Sequence, residues 1–148
     1  ESSYGFFVTL FYAQFEPDSA EVTYVSAGHN PQLRYLDTSA RSLERASAPV
    51  FQLGYTGVPL GIFEEAPYEE RHITCAPGDC LLLYTDGVTD AVNDLGDHYS
   101  LARLERFGQD NHQSDPKKFI QNLESELLDF VGDTPQFDDI TIVIAKRG

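Results

Sequence analysis

Two groups of carboxylates stand where they could hold a cation. One is Thr85-Asp86-Gly87-Val88-Thr89-Asp90, directly after the apolar run 80–84; the other is Asp138-Asp139, directly before the β-branched run 140–144. Carboxylate oxygens are hard donors suited to Mg²⁺ or Mn²⁺, ions that keep several waters, so two or three aspartates from separate strands make a sufficient protein contribution. Side-chain alternation separates the two neighbours of the second group. In an extended chain Asp138 shares a face with Ile140, Ile142 and Ile144, and Asp139 with Thr141 and Val143. Asp138 is therefore the candidate ligand pointing into a cleft; Asp139 is a supporting or capping group, with ligation as a further option. His29, His72, His98 and His112 lack the close spacing of a zinc site, so a zinc hydrolase is not expected. Asp-Gly is also the commonest hairpin turn, and Asp-Asp before a strand often only caps or solubilises, so pattern alone leaves both readings open.

The elements that must position these groups change character along the chain. Residues 5–16 and 21–26 are rich in aromatic and β-branched types and are separated by Pro17-Asp18-Ser19, which predicts a β-hairpin. Ala27-Gly28-His29-Asn30-Pro31 reads as a second turn, with a strand over 32–36 extending a meander, and 38–47 as a turn with a short strand. Residues 68–75 and 80–85 around Pro77-Gly78 predict another hairpin, which would let Cys75 and Cys80 face each other. Leu81, Leu82 and Leu83 are consecutive, and a strand apolar at both parities must be covered on both faces and central. Period two then gives way to period 3.6. Asp115 caps a helix whose first residue is Pro116, its apolar stripe is Phe119, Ile120, Leu123, Leu127, Leu128 and Val131, and Gly132 stops it. A shorter helix is expected over 101–107 and a final strand over 140–146. The result is one α+β domain, mostly antiparallel sheet with helices on an outer face.

Composition sets the limits. At 148 residues, 41% of them hydrophobic, one core can bury roughly 70% of the unfolded surface without a metal or disulfide. Twenty-four acids against ten scattered bases give a net charge of −14, which argues against a nucleic-acid partner. No apolar run approaches the ~20 residues that cross a bilayer. Two cysteines are too few for a disulfide framework, and a reduced, cytoplasmic setting is expected. There is no methionine, so Glu1 is not expected to be a natural start.

Four runs occur in an order that changes the weight of the acidic groups: AGHNP at 27–31, GVPLG at 57–61, PGDCLLLYTDGVTDA at 77–91 and FDDITIVI at 137–144, with FFVTLFY at 6–12 ahead of them. In these the chain resembles the stage II sporulation protein E type of serine phosphatase, bacterial relatives of the type 2C metal-dependent phosphatases of the PPM superfamily. The resemblance implies an antiparallel β-sandwich flanked by helices and a pair of Mg²⁺ or Mn²⁺ ions held by Asp86 and Asp138, with Asp139 as a further candidate. Thr85, Gly87 and Gly61 would shape the site, and Asp90 stands where the family more often has Glu. His29 is expected to be a hydrogen-bonded turn residue rather than an acid catalyst. The implied reaction is hydrolysis of phosphoserine or phosphothreonine on a protein. The expected substrate is a phosphorylated anti-anti-sigma-type protein, and the expected regulator an N-terminal sensor or receiver domain in the parent chain.

One departure stands out. The family's Gly-Asp-x-x-Gly-His-Gly motif, whose aspartate bridges the two metals, has no match before Phe15, and the fold's opening strands and helix are missing with it. The 148 residues are thus expected to be the C-terminal, larger part of a catalytic domain. Alone they should bind metal weakly, show little activity and expose a sheet edge that invites homodimerisation. The alternative is a pseudophosphatase or regulatory protein-binding module of the same fold.

Overall fold

The computed structural model describes residues 5–39, 50–136 and 138–148. Two compact units divide them: the chain up to Pro31 with Gln52–Ala76, and Gln32–Phe51 with Pro77–Gly148.

The first unit carries an antiparallel sheet of order β1-β2-β5, with β1 Leu10–Phe15, β2 Glu21–Ala27 and β5 Arg71–Thr74. The β1–β2 hairpin forms as its turn residues dictate. The Ser19 amide donates to the Glu16 carbonyl at 3.4 Å, and the Ser19 hydroxyl accepts from the Glu21 amide at 3.1 Å. Register pairs Phe15 with Val22 and Leu10 with Ala27. β1 is an edge strand, and the aromatics leading into it, Phe6 and Phe7, are exposed.

The other sheet, in the second unit except for the last two residues of β4, has the order β4-β3-β6-β7: β3 Gln32–Tyr35, β4 Val50–Leu53, β6 Cys80–Tyr84 and β7 Ile142–Lys146. The triple-leucine strand β6 is central, antiparallel to β3 on one side and to β7 on the other, and Cys80, Leu81, Leu82 and Tyr84 are buried. Among the described residues three helices accompany it: α1 Asp86–Thr89, α2 Leu101–Asn111 and α3 Pro116–Val131. The Asp115 carboxylate accepts from the Lys117 amide at 2.9 Å, and Gly132, at φ 55°, follows the last turn, as the capping pattern requires. Phe119, Leu123 and Leu127 enter a core with Leu33, Tyr35, Leu82, Tyr84, Val88, Tyr99 and Leu104.

Pairing departs from the sequence expectation twice, for one reason. β3 pairs with β6 rather than with β2, so AGHNP carries the chain from one sheet to the other instead of closing a meander. Likewise β5 pairs with β2 and β6 with β3 and β7, so Pro77-Gly78 is a crossing between sheets, not a hairpin loop. Local turn chemistry reports a change of direction but does not choose the sheet that receives the next strand. Cys75 and Cys80 accordingly belong to different segments and are both buried thiols, not a disulfide. Most of the turn expected over 38–47 lies outside the described residues.

Candidate metal centre

Both acidic groups sit in the second unit, and the β6–β7 ladder brings them together. That ladder pairs Tyr84 with Ile142 and continues beyond the strands: the Thr85 amide donates to the Thr141 carbonyl at 3.1 Å. The Thr85 hydroxyl accepts from the Thr141 amide at 3.0 Å and donates to the Asp139 carbonyl at 3.2 Å. Committed across the sheet in this way, the hydroxyl makes no capping bond to α1 although Thr85 is its N-cap residue. Gly87 completes the junction, since a Cβ there would lie 2.3 Å from the Asp139 carbonyl oxygen. Only a residue without a side chain lets the turn after Asp86 rest against the Asp139 backbone. Residues 85–87 and 138–141 thus form one rim at the end of the central strand.

The carboxylates of that rim face solvent. Asp86, Asp90, Asp138 and Asp139 are all exposed. The Asp138 carboxylate accepts from the Asp139 amide at 2.8 Å, and the Gln136 amide group donates to the Asp138 carbonyl at 2.6 Å. Asp139 contributes its amide to the first of these contacts and its carbonyl to the Thr85 hydroxyl bond. Parity holds along the strand: Ile140, Ile142 and Ile144 pack on the core while Val143 is half exposed. Asp138, of the same parity as the isoleucines, lines the groove beside α3 together with Gly87 and Asp90. Asp90 closes α1, its amide donating to the Asp86 carbonyl at 2.8 Å.

One residue that steadies this rim belongs to no motif. Gln32 is fully buried; its side-chain carbonyl accepts from the Tyr84 amide at 2.6 Å and its amide donates to the Tyr84 carbonyl at 3.1 Å. A side-chain amide thereby imitates a strand partner for the residue two positions before Asp86. A glutamine after proline carries no local cue to such a role.

The remaining site residues lie in the first unit, where the other runs meet. The Gly28 amide donates to the Gly57 carbonyl at 2.9 Å, and Val8 exchanges two backbone bonds with Leu60 at 2.9 and 2.8 Å. Gly28 has φ 63° and no room for a Cβ against Pro59, so AGHNP and GVPLG interlock through a residue that must be glycine. Gly61, at φ 90°, sits 3.2 Å, measured from an added Cβ, from the Phe6 carbonyl oxygen. The GVPLG segment is therefore tied to the strand entry by backbone bonds. The His29 ring nitrogen Nδ1 is 3.0 Å from the Thr9 hydroxyl, the contact of a hydrogen-bonded turn residue.

The donor types on the rim fit Mg²⁺ or Mn²⁺, being carboxylate oxygens on rigid backbone with open solvent around them. Their number is small: among the described residues no three His, Cys, Asp or Glu side chains converge on one point.

Comparison with known proteins places this architecture. The family model described as Stage II sporulation protein E (SpoIIE) matches residues 1–148. The chain belongs to this family. Among curated SpoIIE-family relatives, the phosphoserine phosphatase RsbU of Bacillus subtilis (strain 168) is 27% identical over 141 residues, which are 95% of this chain and 39% of RsbU. The SiaA-PP2C domain of Pseudomonas aeruginosa superposes with a TM-score of 0.76 at 18% identity, covering 95% of this chain and 52% of that one. The manganese-presoaked phosphatase domain of SpoIIE from Bacillus subtilis gives a TM-score of 0.64 at 18% identity, covering 97% and 57%. The α+β architecture with antiparallel sheets is thus a partial PP2C fold, and the chain spans roughly two fifths to three fifths of the relatives it matches.

Proposed function

We propose that these residues form the C-terminal, larger part of a metal-dependent protein serine/threonine phosphatase domain, acting on phosphoserine or phosphothreonine of a regulatory protein of the anti-anti-sigma type. The observation that carries the reading is the Thr85 clamp, whose two hydroxyl bonds set the Asp86 turn against the Asp138-Asp139 segment. Its relation to RsbU, named a phosphoserine phosphatase, supports the reaction class, and the manganese soak of SpoIIE supports the choice of ion.

Asp86 and Asp138 would hold the ions, with Asp139 as a further donor. When bound, two Mg²⁺ or Mn²⁺ ions supply Lewis acidity that activates water and neutralises the phosphoryl oxygens during in-line displacement. The protein's own part is placement. Thr85 fixes the spacing of the two carboxylate-bearing segments, the Asp139 amide orients the Asp138 carboxylate, and Gly87 leaves room for the close approach. Exposed carboxylates at one rim repel each other and an incoming phosphate ester, and cation binding removes both penalties.

Two carboxylates are part of a dinuclear donor set rather than a whole one, so the isolated chain should bind Mn²⁺ weakly and hydrolyse little. A longer parent chain should release phosphate from a phosphoserine protein in a Mn²⁺-dependent manner. Calorimetric titration of this chain showing two tight Mn²⁺ sites, or robust Mn²⁺-dependent turnover by it that Asp86→Asn abolishes, would overturn the fragment reading. A parent chain that binds Mn²⁺ yet never turns over would indicate a pseudophosphatase.

A further inference from the structure

Helix α1 is a single turn, Asp86–Thr89, too short to hold its own shape. The Thr85 clamp sets its start. Its end is tied down by chain that returns from a loop: the Ala91 carbonyl accepts from the Tyr99 amide at 2.7 Å and the Thr89 carbonyl from the Ser100 amide at 2.9 Å. Ser100 makes its bond from an unusual backbone. At φ 74° and ψ 155° it is the only non-glycine residue with positive φ among the described residues. That region is essentially glycine's own, and a side chain persists there only where its surroundings over-determine the backbone. They do so on both sides. Upstream, Tyr99 is fully buried, meets Phe130 edge-on with ring centroids 5.4 Å apart, and donates its hydroxyl to the Glu126 carboxylate at 2.6 Å. Downstream, the Ser100 carbonyl accepts from the Leu104 amide at 3.2 Å and opens α2, whose Leu104 and Phe107 are buried.

Serine at a helix N-cap ordinarily serves by capping, yet the Ser100 hydroxyl makes no capping bond to α2. The role of position 100 therefore lies in its backbone, whose strained turn aims the amide at the last residue of α1. We propose that Ser100 is a positioning residue for the acidic rim, a lock that fastens the end of α1 and with it the spacing of Asp86 and Asp90. The connection is short: the Asp90 amide and the Thr89 hydroxyl both donate to the Asp86 carbonyl, at 2.8 and 3.3 Å, so the residue held by Ser100 closes the turn that Asp86 begins. The turn is then held at both ends, by Thr85 and by Ser100. The step from that spacing to metal binding rests on the proposed function; the lock itself does not.

Substitution at position 100 gives effects whose sign is decisive. Glycine enters this backbone region freely and β-branched valine least readily, so a strained lock ranks Ser100→Gly above the parent sequence and Ser100→Val below it. An ordinary extended backbone would reverse that order. In this chain Ser100→Gly should raise the melting temperature by about 2 °C and slow hydrogen exchange of the Val88 and Asp90 amides, whereas Ser100→Val should speed that exchange by about tenfold or more. The control is Gly78→Ala, a left-handed site at the opposite end of β6, which should lower the melting temperature and leave those two amides unmoved. In the longer parent chain, Mn²⁺ binding followed by water-proton relaxation should weaken by about threefold or more in Ser100→Val. A melting temperature lowered by Ser100→Gly would overturn the proposal, and that arm decides even if Ser100→Val fails to fold. Equal movement of the two amides in Gly78→Ala would overturn it too, since α1 would then open only with the whole fold. Local exchange changes with Mn²⁺ binding unmoved would reduce Ser100 to a structural residue. None of these readouts is turnover, so a parent chain that binds Mn²⁺ without hydrolysing a phosphoprotein would count against the phosphatase reading and not against the lock.

Discussion

Strand β6 has an aspartate beside a glycine at each end, and the two ends behave oppositely. At the start, Asp79 is fully buried: its carboxylate accepts from the Asp37 amide at 2.8 Å and lies 3.9 Å from the largely buried Arg34 guanidinium. Gly78, at φ 89°, tucks against Asp37. Nearby, the Lys146 ammonium donates to the carbonyls of His112, Gln113 and Ser114 at 2.9–3.2 Å, filling the end of α2. At the other end Asp86, Asp138 and Asp139 are exposed, and the hydrogen bonds run to backbone and to Thr85 while the carboxylates keep solvent around them. A carboxylate buried with its donors holds a fold together; in the proposed function, the carboxylates gathered in the open would receive a cation. Residue type does not distinguish the two ends. Burial does.

Substitutions can break that contrast. In an active parent chain, Asp86→Asn should lower turnover by about 100-fold or more, equivalent to ~2.7 kcal/mol, while leaving stability within ~0.5 kcal/mol. Asp79→Ala should do the reverse, costing about 3 kcal/mol in denaturant unfolding by removing the acceptor of the Asp37 amide and the carboxylate beside Arg34, with activity per folded molecule retained. If Asp79→Ala proves neutral to folding, the division of labour between the two ends is wrong.

The glycines sharpen it. Gly78→Ala meets both a left-handed backbone and the Asp37 carboxylate, so unfolding free energy should fall by roughly 1–3 kcal/mol. Gly87→Ala should cost a similar amount but also weaken Mn²⁺ binding in the parent, because relief of the clash must move the Asp139 backbone. Thr85→Val keeps the shape and loses the hydroxyl bonds. It should cost about 1–2 kcal/mol and raise the Mn²⁺ concentration needed for half-maximal rate more than it lowers the saturated rate, a split that a purely structural residue would not produce.

The smallest effect is one of pH. His112 is buried beside Lys146; loss of solvation first, and the neighbouring ammonium second, hold its pKa below the usual 6.5. The unfolded chain therefore binds a proton more readily, so this contribution to stability is present above pH 6.5 and is lost as pH falls toward the depressed folded value. Asp37 is held low chiefly by its hydrogen bonds from Ser39 and adds a further loss only below its ordinary value of 3.8. His112→Gln should flatten the upper of these slopes in thermal unfolding measured from pH 7.5 to 5.

Much of this was legible in the residues. Proline with aspartate made the first hairpin, consecutive leucines made β6 central, Asp115-Pro116 and Gly132 bounded α3, and alternation from Ile140 to Ile144 set Asp138 on the groove side. α2 extends beyond the expected helix, to Asn111, and β7 starts at Ile142, two residues late, because residues 138–141 are engaged with Thr85 rather than with a full strand partner. Such features depend on interactions within a few residues, where dihedral preference and side-chain periodicity act directly. Pairing of β6 with β3 and β7, burial of Asp79, the Gln32 bonds to Tyr84 and the Thr85 clamp join residues 42 to 66 positions apart. Their energies come from desolvation and from hydrogen bonds that exist only once two segments meet, so they were decided by the tertiary structure alone.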